Sequence, residues 1–263
     1  GKAGGRSDAR ERANRGRPRT LTRRNIRAVF MITRVAGSIA IFAALALPAC
    51  VRDSDDAMVA SVRRLRSSVV LLSMKVPPEN KKDHYDEAYA TGFVVASGTW
   101  GSDIVTVQHA IEGAWDLRVT VANRWHAPAR VVTSNAGLDL AIVRTPRRNL
   151  TPVALGSSSH LQSDVGREVG LLGYPIPDEF DDEGLGLATS LGTGRLSSIR
   201  KDALEVTVSI VPGESGAPVF IADTGEVVGV AESRFDSERS IGFALPIDDV
   251  KKYLHRNDAP HGF

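Results

Sequence analysis

One stretch, Val211-Pro212-Gly213-Glu214-Ser215-Gly216-Ala217-Pro218, constrains this chain more than any other. It lies between two strand-like runs, 204–210 and 219–221. Gly213 and Gly216 permit backbone conformations that a side chain would forbid. Pro212 and Pro218 fix φ and remove donors. Such a turn holds a hydroxyl outward and aims N–H groups at one point, the nucleophile and oxyanion site that acyl transfer needs. The plain alternative is a Gly/Pro-rich hairpin with an incidental serine, because Gly-Xaa-Ser-Gly is short.

Short apolar runs recur on both sides of it. They are 68–74, 91–96, 103–107, 117–121, 129–132 and 140–143, then 168–173, 194–199, 204–210, 219–221, 227–231 and 241–244. Turn residues separate them, Asp223-Thr224-Gly225 being the clearest, which predicts an all-β barrel or sandwich. Two segments read as helix: 57–65, and 247–255 opened by Pro246. The 263 residues suffice for one large or two small domains with ample core. Cys50 is the only cysteine, so packing and backbone pairing hold the fold without an intramolecular disulfide.

Charge is divided along the chain. Residues 1–34 carry eleven Lys/Arg against Asp8 and Glu11, a net of +9. Removing them from the chain's 33 basic and 31 acidic residues leaves the remainder at −7. An acidic body argues against a nucleic-acid partner for the folded part. Residues 1–30 read as a disordered basic arm, a targeting flank or an over-extended gene start. From Met31 a short basic lead, an apolar run over 35–47 and Leu47-Pro48-Ala49-Cys50 have the layout of a secretory signal. The run is short for a bilayer span of about 20 residues. Membrane association through 31–50, lipidation of Cys50 and an organelle transit peptide stay open beside export. Residues 51–67 read as a linker.

A serine nucleophile needs a base and the base an orienting acid. Val105-Thr106-Val107-Gln108-His109-Ala110 sets His109 just after a buried-looking strand, whereas His84, His126, His160, His255 and His261 fall in polar loops or near the C-terminus. Asn135-Ala136-Gly137-Leu138-Asp139 sets Asp139 at the mouth of another strand. Taken singly, each has a structural reading, a satisfied histidine and a strand-end acid. Together they give the order His, Asp, Ser, the chymotrypsin order and not the Ser, acid, His of α/β-hydrolases. That order disfavours an esterase of the latter type.

The chain from 68 to 254 resembles the HtrA/Deg-type, trypsin-like serine endopeptidases. Thr91-Gly92-Phe93-Val94-Val95 resembles the strand before the family's histidine. The motifs around His109, Asp139-Leu140-Ala141-Ile142-Val143 and Pro212-Gly213-Glu214-Ser215-Gly216-Ala217-Pro218 resemble its three catalytic motifs. Gly225-Glu226-Val227-Val228-Gly229-Val230 and Ile241-Gly242-Phe243-Ala244-Leu245-Pro246 resemble the two strands that follow. Glu214 and Ala217 depart from the more usual Asn and Gly. With few residues after Leu254, the PDZ domain of many relatives is not expected.

The resemblance implies an all-β fold of two six-stranded antiparallel β-barrels with a short C-terminal helix and the site between the barrels. The first barrel would occupy about 68–146, the second about 147–246. His109, Asp139 and Ser215 would be the triad, with the N–H groups of Gly213 and Ser215 as the oxyanion hole. Ser209 matches the position that carries an acid in trypsin-type pockets. Without that acid a buried Arg or Lys side chain is unpaired, so the expected cleavage follows small or medium apolar residues. Ala231, Glu232, Ser233 and Arg234 would pair with substrate as an added strand. The substrates implied are unfolded or damaged polypeptides, met by an exported or membrane-associated enzyme, with a homo-oligomer open. No cofactor or metal is expected; the acidic stretch 178–183 reads as a solvated loop in preference to a calcium site. The competing reading is a protease-fold binding or chaperone-like module without turnover.

Overall fold

The computed structural model describes residues 54–78, 84–121, 125–232 and 241–257. The basic arm, the signal-like segment, Ser233 and Arg234 lie outside the described residues. Helix α1 (Ser54–Leu65) precedes a first sheet of β1 (Val69–Val76), β2 (Asp86–Gly98), β3 (Gly101–Thr106), β4 (Trp115–Val121), β5 (Trp125–Pro128), β6 (Arg130–Asn135) and β7 (Leu140–Thr145). The strand order is β5-β4-β1-β2-β3-β7-β6, antiparallel throughout. Its two outer strands, β5 and β6, are neighbours in sequence. Only Ala129 separates them, and its N–H donates to the Leu117 carbonyl at 2.8 Å. One bent segment therefore pairs with β4 at one end and β7 at the other. The chain itself links the two margins of this sheet, which has seven strands where the sequence predicts six. Pattern reading finds only the second half of this segment, because Trp125-His126-Ala127-Pro128 has no apolar run and ends in a residue that edge strands tolerate.

The second half holds β8 (Glu168–Gly173), helix α2 (Pro177–Asp182), β9 (Ser190–Ile199), β10 (Leu204–Val206), β11 (Pro218–Ile221), β12 (Val227–Glu232), β13 (Gly242–Pro246) and helix α3 (Ile247–Arg256). Its six strands close in the order β10-β13-β12-β11-β8-β9. The all-β, two-barrel expectation with a C-terminal helix holds. The acidic stretch 178–183 is not simply a loop: most of it forms α2, opened by Pro177 with Asp178 and Glu179 in the first turn, where the helix dipole favours negative charge.

The strands read as continuous apolar runs because both faces are covered. On β1, Val70, Leu72 and Met74 point into the first barrel, while Val69 and Leu71 enter a core shared with the second. On β7, Ala141 and Val143 fill the barrel while Leu140 and Ile142 face its neighbour. The shared core also takes Phe93, Val105 and Val107 from the first half and Leu172, Tyr174, Phe220 and Val230 from the second. Alternate side chains of one strand thus build a barrel and cement two barrels together. Within 51–67, α1 packs on the second barrel: the Ser61 hydroxyl donates to the Ala222 carbonyl at 2.8 Å, and Met58 and Leu65 join the shared core. On α3, the Tyr253 hydroxyl meets the Thr133 hydroxyl at 2.6 Å, tying the C-terminal helix to the first barrel.

Candidate active site

His109 opens a single 3₁₀ turn, His109–Ile111, immediately beyond β3. Val107, two residues earlier, is locked in the shared core, as is Leu140 beside Asp139. Asp139 ends the turn that precedes β7, with φ +49. That left-handed region is one Asp tolerates better than most residues. The conformation aims its carboxylate back at His109. Oδ2 accepts from Nδ1 at 2.6 Å and Oδ1 from the His109 backbone N–H at 2.8 Å. An ionised carboxylate can only accept, so Nδ1 carries the proton and Nε2 is left with a lone pair. The hydrogen bond to Asp139 raises the His109 pKa above its ordinary value, against a lowering by burial, with the charges of Asp139 and Glu232 adding to the rise. Burial pushes the Asp139 carboxyl up, but the bonds from the His109 ring, its N–H and the Gln108 N–H outweigh it, and the net shift is downward.

Ser215 sits in the turn 211–217, which is buried from Gly213 to Ala217. Gly213 has φ +89, and a Cβ there would lie 2.4 Å from the Tyr174 carbonyl oxygen and 2.6 Å from Pro177. Gly216 has φ +88, and a Cβ there would lie 2.1 Å from the Thr91 carbonyl oxygen and 2.4 Å from the Thr106 hydroxyl. Both glycines are thus required by conformation and by close approach. The Pro212 carbonyl accepts from the Ile176 N–H at 2.8 Å and the Glu214 carbonyl from the Ala217 N–H at 2.9 Å. In a trans peptide N–H points opposite to C=O, so these bonds turn the N–H groups of Gly213 and Ser215 away from the turn's own partners. Among the described residues, neither N–H has an acceptor. The Glu214 side chain folds under the turn, where Oε2 accepts from the Val211 N–H at 3.1 Å. Burial raises its pKa, more than that bond lowers it.

The structure brings His109 and Asp139 into direct contact. Ser215 belongs to the second barrel, and its neighbour Gly216 lies against Thr106, three residues before His109 in sequence. No hydrogen bond joins the Ser215 hydroxyl to His109 Nε2 among the described residues. Ser209 lies exposed beyond β10, between buried Val208 and Ile210. Ala231 is held inside the ladder. Its N–H donates to the Ala217 carbonyl at 2.8 Å, and its carbonyl accepts from the Gly216 N–H at 2.9 Å. Both backbone groups are engaged within the barrel, so Ala231 has none to offer an added strand. Glu232 pairs with Phe243 and is 1% exposed. It shares a strand face with Val230, which packs in the inter-barrel core. Its negative charge adds to the rise in the His109 pKa. Among the described residues no group of three or more His, Cys, Asp or Glu side chains could hold a metal ion, and no helix is long and apolar enough to cross a membrane.

Two barrels sharing a core, with an imidazole–carboxylate pair on one and a serine turn on the other, define a chymotrypsin-fold peptidase domain. The trypsin-like peptidase domain family matches residues 90–230, more than half of the chain, and the chain belongs to that family. Its relatives are HtrA/Deg-type proteases. A probable periplasmic serine endoprotease DegP-like of Halomonas elongata is 30% identical over 201 residues, 70% of this chain and 39% of its own length. The serine protease Do-like HtrA of Bacillus subtilis is 32% identical over 162 residues, 56% of this chain and 34% of its own. The chloroplastic Protease Do-like 1 of Arabidopsis thaliana is 31% identical over 164 residues, 56% of this chain and 35% of its own. The chain thus spans between a third and two fifths of the length of these relatives.

Proposed function

We propose that this domain is a serine endopeptidase with Ser215 as nucleophile, His109 as general base and acid, and Asp139 as the residue that orients and charges the imidazole. His109 Nε2 takes the Ser215 proton as Oγ attacks the scissile carbonyl, then returns it to the leaving amine. Water releases the acyl group by the same route in reverse. The N–H groups of Gly213 and Ser215 receive the oxyanion. The observation that carries this reading is the two-point hold of Asp139 on His109, 2.6 Å to the ring and 2.8 Å to the backbone. It fixes the tautomer that leaves Nε2 available as the base.

The domain boundaries follow: we take the peptidase unit to begin with α1 and end with α3. With Ser209 in place of an acid, cleavage after small or medium apolar residues is expected, in unfolded polypeptides. The added substrate strand would continue β12 beyond Glu232. An exported or organellar setting matches relatives named periplasmic and chloroplastic. A binding module without turnover is the second reading, favoured by the unformed Ser215–His109 bond. Catalytic hydrogen bonds of unliganded enzymes are often long and tighten with substrate, so the enzyme reading is preferred. The test is digestion of unfolded casein with sequencing of the fragments. The wild type should cut after small apolar residues, and Ser215→Ala should lose about a million-fold in kcat with its fold intact. Cleavage that survives in Ser215→Ala contradicts the mechanism; termini after Arg or Lys contradict the pocket.

A further inference from the structure

Four consecutive peptide units make up the turn that would receive the oxyanion, and each carbonyl is held. Ile176 holds the unit 212–213 and Ala217 the unit 214–215. The other two are held by one residue of the opposite barrel. The Thr91 hydroxyl, on β2, donates to the Gly213 carbonyl at 2.7 Å, and the Thr91 N–H donates to the Ser215 carbonyl at 3.0 Å. Thr91 is itself fixed from both sides. Its hydroxyl accepts from the Tyr174 N–H at 3.0 Å, and its carbonyl accepts from the Thr106 hydroxyl at 2.8 Å. It is completely buried. Tyr174 shares the peptide wall that Gly213 abuts, and Thr106 is three residues from His109.

The consequence is geometric. Fixing the Gly213 carbonyl fixes the 213–214 peptide plane, which joins the planes that carry the Gly213 and Ser215 N–H groups, and fixing the Ser215 carbonyl holds the plane that follows. Glycine at 213 has no side chain to hold those planes. We propose that Thr91 is a positioning residue that latches the oxyanion turn of the second barrel to the first, so that the hydroxyl at 91 governs catalytic rate without touching substrate. This rests on the acyl-transfer reading above. Fold maintenance alone would predict a different pattern, since the latch matters most when a tetrahedral oxygen is bound.

The test compares Thr91→Val, which keeps the shape and loses the hydroxyl, with Thr91→Ser, which restores it. Each is assayed for kcat and KM on a peptide substrate, and for binding of a peptide aldehyde, whose adduct with serine places an oxyanion in the same site. Thr91→Val should lose about a hundred-fold in kcat, the lower end of what removing one oxyanion donor costs, with KM within about three-fold. Aldehyde affinity should fall in parallel with kcat, and Thr91→Ser should recover most of both. If Thr91→Val does not fold, Thr91→Cys replaces the hydroxyl with a weak donor and must show the same split. Wild-type kcat in a folded Thr91→Val or Thr91→Cys overturns the latch. So does a loss confined to KM, or Thr91→Ser as impaired as Thr91→Val. A wild type that neither cleaves nor binds the aldehyde removes the acyl-transfer reading and the latch with it.

Discussion

The two barrels contribute halves of the proposed site, and the halves are built on different principles. The His109–Asp139 half lies within the first barrel and is already assembled: two short hydrogen bonds, a carboxyl shifted down and an imidazole shifted up. The Ser215 half is a neutral backbone device. Two positive-φ glycines and a set of held carbonyls shape it, and two of those holds come from Thr91 in the other barrel. The first half is an electrostatic unit; the second is a geometric one whose accuracy depends on how the barrels meet. Injury to one should therefore change the pH dependence of catalysis. Injury to the other should change only its rate.

The largest separation between them comes from Asp139→Asn. Asn accepts the same left-handed backbone, so the fold should stay while kcat falls by about ten-thousand-fold, as loss of the orienting acid does in related sites. The sign of the pH effect follows from the raised His109 pKa. The base must be neutral to act, so wild-type kcat/KM should rise with pH through a value above that of an ordinary histidine. Removing the Asp139 carboxylate withdraws the largest cause of that rise, and the acid limb of the variant should move to lower pH. Glu232 remains and keeps part of the shift. An unmoved limb would mean that the first barrel is no electrostatic unit.

Gly213→Ala should be milder and of the other kind. A Cβ at 2.4 Å from the Tyr174 oxygen at φ +89 forces the turn to shift. The expected cost is about a hundred- to a thousand-fold in kcat, as for a lost oxyanion donor, with about 1–3 kcal/mol of stability from backbone strain. Its acid limb should superimpose on the wild type. A displaced limb would show that the serine turn and the imidazole are not separable.

How much of this was legible in the sequence follows the same division. His109 and Asp139 are singled out by local patterns, because one follows and the other precedes a continuous apolar strand whose residues are core. The serine turn is found because its glycines and prolines are adjacent in the chain. Thr91 and Ile176 are not legible, since their roles arise from contacts between segments more than thirty residues apart, as with Thr91 and Gly213, separated by 122 positions; Glu232 is singled out for substrate pairing and not for its charge, which raises the His109 pKa. Ala231 illustrates the reverse error. A motif suggests a strand open to substrate, whereas hydrogen bonding to 216–217 has already consumed its backbone groups. Only the second half of the bent β5–β6 segment is legible, because Trp125-His126-Ala127-Pro128 carries no apolar run.

The most direct test of the central claim, that the two halves converge on one reactive hydroxyl, is labelling with a fluorophosphonate followed by mass-spectrometric mapping of the adduct. The account predicts a single stoichiometric adduct on Ser215 in the wild type and its loss in His109→Ala. An adduct elsewhere, no adduct on a folded wild type, or equal labelling of Ser215 without the imidazole would contradict it.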